Sequence, residues 1–279
     1  VIESPDAASI YQIPLIFAKQ GILTQISDAL NLGEISPNLS EWDNLTKRVV
    51  MPNDSVEIAF VGKYIDLKES YKSLTEALIH AGASLDTRVN IRWCDSEKID
   101  ANNIAEMLKN CDGILIPGGF GARGIEGKIE AIKFARENKI PFLGICLGMQ
   151  LCMIEFARNV LNLKDANSIE FDENCKNPII FLIDTFIDKN GKKQIRTHQS
   201  PLGGTMRLGA YECKVRANSM LANAYANKSE ISERHRHRYE ANPKYRAEFE
   251  KAGLIVSGES EGLIEAVEIA EHPFFVGVQ

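Results

Sequence analysis

Pro141-Phe142-Leu143-Gly144-Ile145-Cys146-Leu147-Gly148-Met149-Gln150 is an apolar run, then a cysteine with a glycine two residues to either side, then a helical pattern that continues to Val160. An apolar run without alternation suits a strand covered on both faces, as in a parallel sheet. A nucleophile on a sharp strand-to-helix turn needs a strained backbone, and glycines at 144 and 148 remove side chains that would collide there. The segment is the cysteine form of the G-x-S-x-G nucleophile elbow. The helix that follows offers free N–H groups and a positive dipole end, so the Cys146 thiolate is expected to be favoured over the thiol. On the pentapeptide alone, a buried structural cysteine at a strand end is the competing account.

Working outward, short β-branched runs alternate with helical periodicity from residue 56. Strands are expected at Val56–Gly62, Val89–Cys94, Gly113–Pro117 and Pro141–Ile145. Helices are expected at Glu69–Ala81, around Ile104, Met107 and Leu108, at Ile125–Asn138 and at Leu147–Val160. This order makes an α/β fold with a largely parallel sheet flanked by helices. Beyond residue 175 the pattern changes: Ile179–Ile183 and Gln194–Thr197 flank Lys189-Asn190-Gly191-Lys192 and read as a hairpin. Additional strands are expected at Arg207–Val215, Glu233–Glu240, Leu254–Gly258 and Ile264–Ile269, with a helix at Pro243–Gly253. Residues 1–55 hold two short helical patterns and then prolines and polar residues, a tail plus linker.

A second glycine loop, Pro117-Gly118-Gly119-Phe120-Gly121, follows the third strand, where open α/β sheets place their sites. Its bare backbone can aim N–H groups at a developing oxyanion, with Gly119 and Leu147 as the two donors; one such donor is worth about 10² to 10³ in rate. A phosphate loop is the weaker account, because no G-K-[ST] follows and the spacing is not G-x-G-x-x-G.

Composition narrows the classes. The 279 residues are 44% apolar and 25% charged, with 32 Lys plus Arg against 38 Asp plus Glu, a net charge of -6. That balance advertises no polyanion-binding surface, so no nucleic acid is expected. No apolar run reaches the roughly 18 to 20 residues of a membrane span, and no membrane contact is expected. Six cysteines without a C-x-x-C pair suit a reduced, cytoplasmic setting and no zinc ribbon. The chain starts at Val1 and ends in the strand-like Phe274-Phe275-Val276-Gly277-Val278-Gln279, so it is expected to be a piece of something longer.

The Pro117–Gly121 loop together with Gly144-Ile145-Cys146-Leu147-Gly148-Met149-Gln150 resembles class I glutamine amidotransferases of the triad type. Asn167-Ser168-Ile169-Glu170-Phe171, Gly203-Gly204-Thr205-Met206-Arg207-Leu208-Gly209 and Glu233-Arg234-His235-Arg236-His237-Arg238-Tyr239-Glu240 resemble the amidotransferase domain of the CTP synthase family. The resemblance covers Val56 to Gln279 and implies a flavodoxin-like sheet. Residues 1–55 then look like the tail of a synthetase domain and the interdomain linker. It implies that L-glutamine is hydrolysed through a thioester on Cys146, with Gly119 and Leu147 holding the oxyanion. Gly148, Met149 and Gln150 would help to line the pocket, Glu170 would bind the substrate's α-ammonium, and Arg238 its α-carboxylate. Arg123, Gly124 and Glu126 resemble a lid through which GTP activates hydrolysis. Ammonia would pass to the chain's own synthetase domain, where UTP is aminated with ATP and Mg²⁺. No cofactor is implied for the amidotransferase domain itself, and a tetramer is implied for the whole protein.

The family's histidine base and its glutamate partner stand in a His-Pro-Glu segment after the last strand, which would begin where this chain stops. His272-Pro273 precedes that strand and is followed by Phe274, so it is not assigned as the base, and His80, His198, His235 and His237 have no better claim. Residues 1–279 are therefore expected to fold but to turn over little glutamine alone. Two alternatives stay open: a binding or regulatory module of the same fold, and a γ-glutamyl hydrolase-like peptidase. The Arg234–Arg238 alternation places guanidiniums and imidazoles on opposite faces of a strand. A metal pair at His235 and His237 has no third ligand in sight in the sequence, so no metal site is assigned.

Overall fold

A computed structural model describes residues 1–182 and 206–279, together with the backbone of residues 185–187 and 193–195. The chain divides into two compact units, one of Val1–Glu57 with Leu67–Asn90, the other of Ile58–Asp66 with Ile91–Gln279.

The strands are β1 (Asp54–Gly62), β2 (Thr87–Asp95), β3 (Gly113–Ile116), β4 (Phe142–Ile145), β5 (Ala166–Ser168), β6 (Asn177–Leu182), β7 (Thr185–Ile187), β8 (Lys193–Ile195), β9 (Arg207–Val215), β10 (Glu230–His237), β11 (Tyr239–Ala241), β12 (Leu254–Ser260), β13 (Leu263–Ile269) and β14 (Phe275–Val278). Helices are α1 (Ile13–Lys19), α2 (Ile22–Leu30), α3 (Ser40–Val50), α4 (Lys72–Ser84), α5 (Ile104–Met107), α6 (Ile125–Glu137), α7 (Leu147–Asn159), α8 (Met220–Ala224) and α9 (Arg246–Ala252). The main sheet runs β10-β9-β12-β13-β14-β4-β3-β1-β2. Its centre, β1-β3-β4-β14, is parallel, and β13, β12, β9 and β10 continue it antiparallel. This is the α/β sheet with added antiparallel strands that the sequence implied.

Physical reasons for the centre are local. Every residue of β3 is buried, which suits its unbroken Gly-Ile-Leu-Ile run. Helix α7 is buried from Leu147 to Ala157, so it is apolar nearly all round; its one carboxylate there, Glu155, takes a bidentate grip from Arg136 at 2.8 and 3.0 Å. Helix α6 packs Ile125, Ile129 and Ile132 at helical spacing into the same core.

Two expectations need correction. The Ile179–Ile183 run does not form one arm of a hairpin: β6 joins a separate sheet of order β11-β6-β5, and it is β7 that pairs antiparallel with β8. The turn at Lys189–Lys192, His198 and Gly203–Thr205 lie outside the described residues. The strand expected at Glu233–Glu240 is two strands, because the chain leaves the main sheet at Arg238 and enters the small one. Burial alternates only as far as His237, and Glu240 and Ala241 are then buried side by side, but no glycine or proline in the run marks the break, which is why the sequence hides it.

Four elements were not foreseen: α3, α8, β5 and β7. In the first unit, α3 is held by Trp42, whose indole N–H donates to the Tyr11 carbonyl at 2.8 Å, and by Thr46, which donates to the same carbonyl. No helix among the described residues is long and apolar enough to cross a membrane.

Candidate active site

Cys146 stands between β4 and α7 with φ 53° and ψ −105°, a backbone conformation that L-residues rarely adopt. The glycines around it are required by close approach of main chain. A Cβ on Gly148 would lie 2.3 Å from the Ile116 carbonyl oxygen, and one on Gly144 would lie 2.7 Å from the Gly148 backbone. The elbow is tied to the end of the neighbouring strand, since Cys146 N–H donates to the Val278 carbonyl at 2.7 Å.

Burial decides the state of the thiol. The expected bias toward thiolate is overturned: Cys146 is pushed up to about 11, because desolvation outweighs the Leu147 N–H aimed at the sulphur and the Gln279 amide beside it. The negative charges of Glu170 and Glu240 push in the same direction. A positive partner next to the sulphur would reverse this.

The loop after β3 closes over the elbow. A Cβ on Gly118 would sit 3.4 Å from Cys146 Cβ and 3.9 Å from its Sγ, and one on Gly119 would sit 3.5 Å from a Leu147 methyl. Gly119 thus stands against the Leu147 side chain at the start of α7. Gly121 N–H donates to Glu170 Oε1 at 2.8 Å. Glu170 is half-buried; burial raises its carboxyl, and the Gly121 N–H, Lys63 and Arg238 act against that. The small sheet therefore brings Glu170, just past β5, and Arg238, just before β11, to the same side of the elbow.

The other sequence-picked residues fall into different surroundings. Gln150 is buried and its amide donates to the Tyr239 carbonyl at 3.0 Å and to Gln279 Oε1 at 2.9 Å, so it braces the site. Met149 is wholly buried in the core. Arg123 pairs with Glu97 and lies over the Tyr64 ring at 4.3 Å. Glu126 takes both its hydrogen bonds from Arg158, at 3.1 and 3.0 Å, and Gly124 caps α6 with φ 73°.

Among the described residues, no histidine stands at the sulphur. His272 is buried at the far end of β14, with its two nitrogens 3.0 and 3.1 Å from the carbonyls of Phe274 and Ala135. His80 bonds Tyr11 in the first unit. His235 and His237 are buried together, and Glu265 of β13 completes a trio whose ligand atoms lie within 4.8 Å of one another. The sequence hid this third group because it comes from a strand 28 positions further on.

Lys63 was missed. It follows β1, donates to the Phe120 carbonyl and lowers the Glu170 carboxyl, so its charge reaches the pocket. Its position at the C-terminal end of a parallel strand was the available signal.

A parallel sheet, a strained cysteine between β4 and α7, and a glycine loop beside it define a class. The family model for class-I glutamine amidotransferase matches residues 66–279, and the chain belongs to that family. Within it, the whole chain is 67% identical to the CTP synthase of Campylobacter jejuni and 64% identical to that of Wolinella succinogenes, covering 51% and 50% of those proteins. The chain thus spans about half the length of these curated relatives. It also matches the glutaminase domain of Trypanosoma brucei CTPS with bound acivicin, at TM-score 0.72 and 36% identity, covering 80% of this chain and 84% of that one.

Proposed function

We propose that this chain is the glutamine-hydrolysing part of a CTP synthase, with Cys146 as its nucleophile. The observation that carries the proposal is the convergence of the elbow, the Gly119 loop and the opposite charges of Glu170 and Arg238 on one side of β4. Those charges suit an amino acid: Glu170 for the α-ammonium and Arg238 for the α-carboxylate.

The Cys146 thiolate adds to the carboxamide carbon of glutamine, and the oxygen that becomes negative is held by the N–H groups of Gly119 and Leu147. The C–N bond breaks as nitrogen takes a proton, ammonia leaves, and a thioester remains. Water then adds with loss of a proton, the C–S bond breaks, and glutamate and the thiol are released. Both halves need a base that a thiol at about 11 does not provide for itself. We place the histidine and its glutamate on chain that follows Gln279. Support comes from β14, which runs parallel to β4 and brings Gln279 to the sulphur, so continuing chain would emerge there.

In the same proposal, residues 1–55 are the tail of the synthetase domain and the linker. ATP, UTP and Mg²⁺ act on that other domain of a cytoplasmic, tetrameric enzyme. GTP would act at Arg123, Gly124 and Glu126, by drawing Arg123 away from Glu97. The test is Cys146→Ala in the whole protein. Glutamine-dependent CTP formation should vanish while formation from added ammonia persists, and equal loss of both would refute the assignment.

A further inference from the structure

Strand β9 pairs with β12 only through Val215 and Lys214, so its first half leaves the main sheet and carries β10 with it. A polar cluster fills the space this opens. Arg207 of β9, 1% exposed, gives one N–H group to Glu265 of β13 at 2.7 Å and to Glu240 of β11 at 3.3 Å. His235 and His237 of β10 close the cluster, 4% and 1% exposed.

Three atoms able to ligate a metal meet there. His237 Nδ1 lies 3.2 Å from the Tyr239 carbonyl, which can only accept, so the proton sits on Nδ1 and Nε2 is left as an acceptor. That is the arrangement of a metal-bound imidazole, whose far nitrogen donates to a carbonyl and fixes the tautomer. His237 Nε2 is 2.9 Å from His235 Nδ1, which is 3.6 Å from Glu265 Oε2. Glu265 is 3% exposed; its Oε1 is held by Arg207, while its Oε2 has no hydrogen-bond partner. Donors of a tetrahedral zinc ion, bound at about 2.0 to 2.1 Å, stand about 3.3 Å apart; two of the three pairs here bracket that distance, and all three atoms lie within 4.8 Å of one another. The carboxylates of Glu240 and Glu265, both bonded to Arg207, place negative charge beside the two imidazoles, which suits a cation.

We propose that His235, His237 and Glu265 bind a tetrahedral zinc ion, with water as fourth ligand. His235 moves its proton from Nδ1 to Nε2, and Nδ1 then binds the metal. A cavity of about 170 Å³, lined by His235, Glu265 and Tyr225, has room for the water. The ion ties β10 to β13 immediately before Arg238, and so fixes the strand that presents that side chain.

The experiment uses the whole protein, stripped with chelator and kept in excess Mg²⁺ to occupy oxygen-only sites. One equivalent of Co²⁺ should give the visible bands of a tetrahedral ion without a sulphur charge-transfer band. Zn²⁺ should displace it, with X-ray absorption showing only nitrogen and oxygen at about 2.0 to 2.1 Å. Glu265→Gln, nearly isosteric and still an acceptor for Arg207, should weaken binding at least tenfold, and His235→Asn should do the same. A sulphur ligand, affinity unchanged in both variants, or no binding by the unaltered protein would each overturn the assignment. The last would leave the cluster sharing a proton alone.

Discussion

Raising the pH should activate Cys146 in residues 1–279, because burial favours its neutral thiol and the thiolate appears only on approach to about 11. The rate of alkylation by iodoacetamide should climb about tenfold per pH unit without levelling off near pH 8. A plateau near pH 8 would mean that a group within these residues lowers the thiol. Arg238 makes a second test at this scale. If it anchors the glutamine carboxylate, Arg238→Ala removes charged hydrogen bonds worth about 1.5 to 3 kcal/mol each, and KM for glutamine should rise roughly ten- to hundredfold with a smaller change in kcat. Lysine should restore only part, lacking the planar fork that fits a carboxylate. An unchanged KM would point to Arg236 or Arg234 instead. The sequence made these residues legible one at a time: the glycines around Cys146 and the run from Arg234 to Arg238. It could not give the thiol's state, since desolvation depends on what the whole chain packs around the sulphur.

Elements were legible where one period held throughout. Strands β3 and β4 and helices α6 and α7 sit within one or two residues of their expected bounds, because buried parallel strands and long helices keep their pattern to the end. The break at Arg238 was not, because no glycine or proline separates β10 from β11 although they belong to different sheets. The short β5 and α8 have too few residues to show a period. The join between β4 and α7 has its own prediction. Gly148→Ala sets a methyl 2.3 Å from the Ile116 carbonyl, and main chain cannot step aside, so destabilisation should be about 3 kcal/mol. Gly262→Ala, in the turn between β12 and β13 at φ +83° with open space around it, should cost only about 1 to 2 kcal/mol. Urea denaturation of the two variants compares them, and equal costs would mean that the elbow can open without loss.

At the scale of the molecule, the Arg207 cluster joins β9, β11 and β13 through one buried guanidinium. Arg207→Met should destabilise by about 3 to 5 kcal/mol, since it removes the guanidinium bonded to the buried carboxylates of Glu240 and Glu265. Replacing Glu240 and Glu265 by apolar residues in the same variant should recover much of that loss, measured by chemical unfolding; no recovery would mean that Arg207 acts through packing, for instance on the Tyr211 ring 4.3 Å away. By itself the sequence determined the central strands β3 and β4, the helices α6 and α7, the elbow and the glycine loop. Each is set by short-range forces: apolar period, backbone sterics at glycine, and the exposed N–H groups at a helix start. Only the tertiary structure decided that the charge of Arg238 acts on Glu170, that Lys63 reaches the pocket, that Glu265 joins His235 and His237, and that the thiol is held neutral. Those outcomes depend on which distant segments the sheet brings together and on how much water it expels from between them, and neither quantity is written in any local stretch of chain.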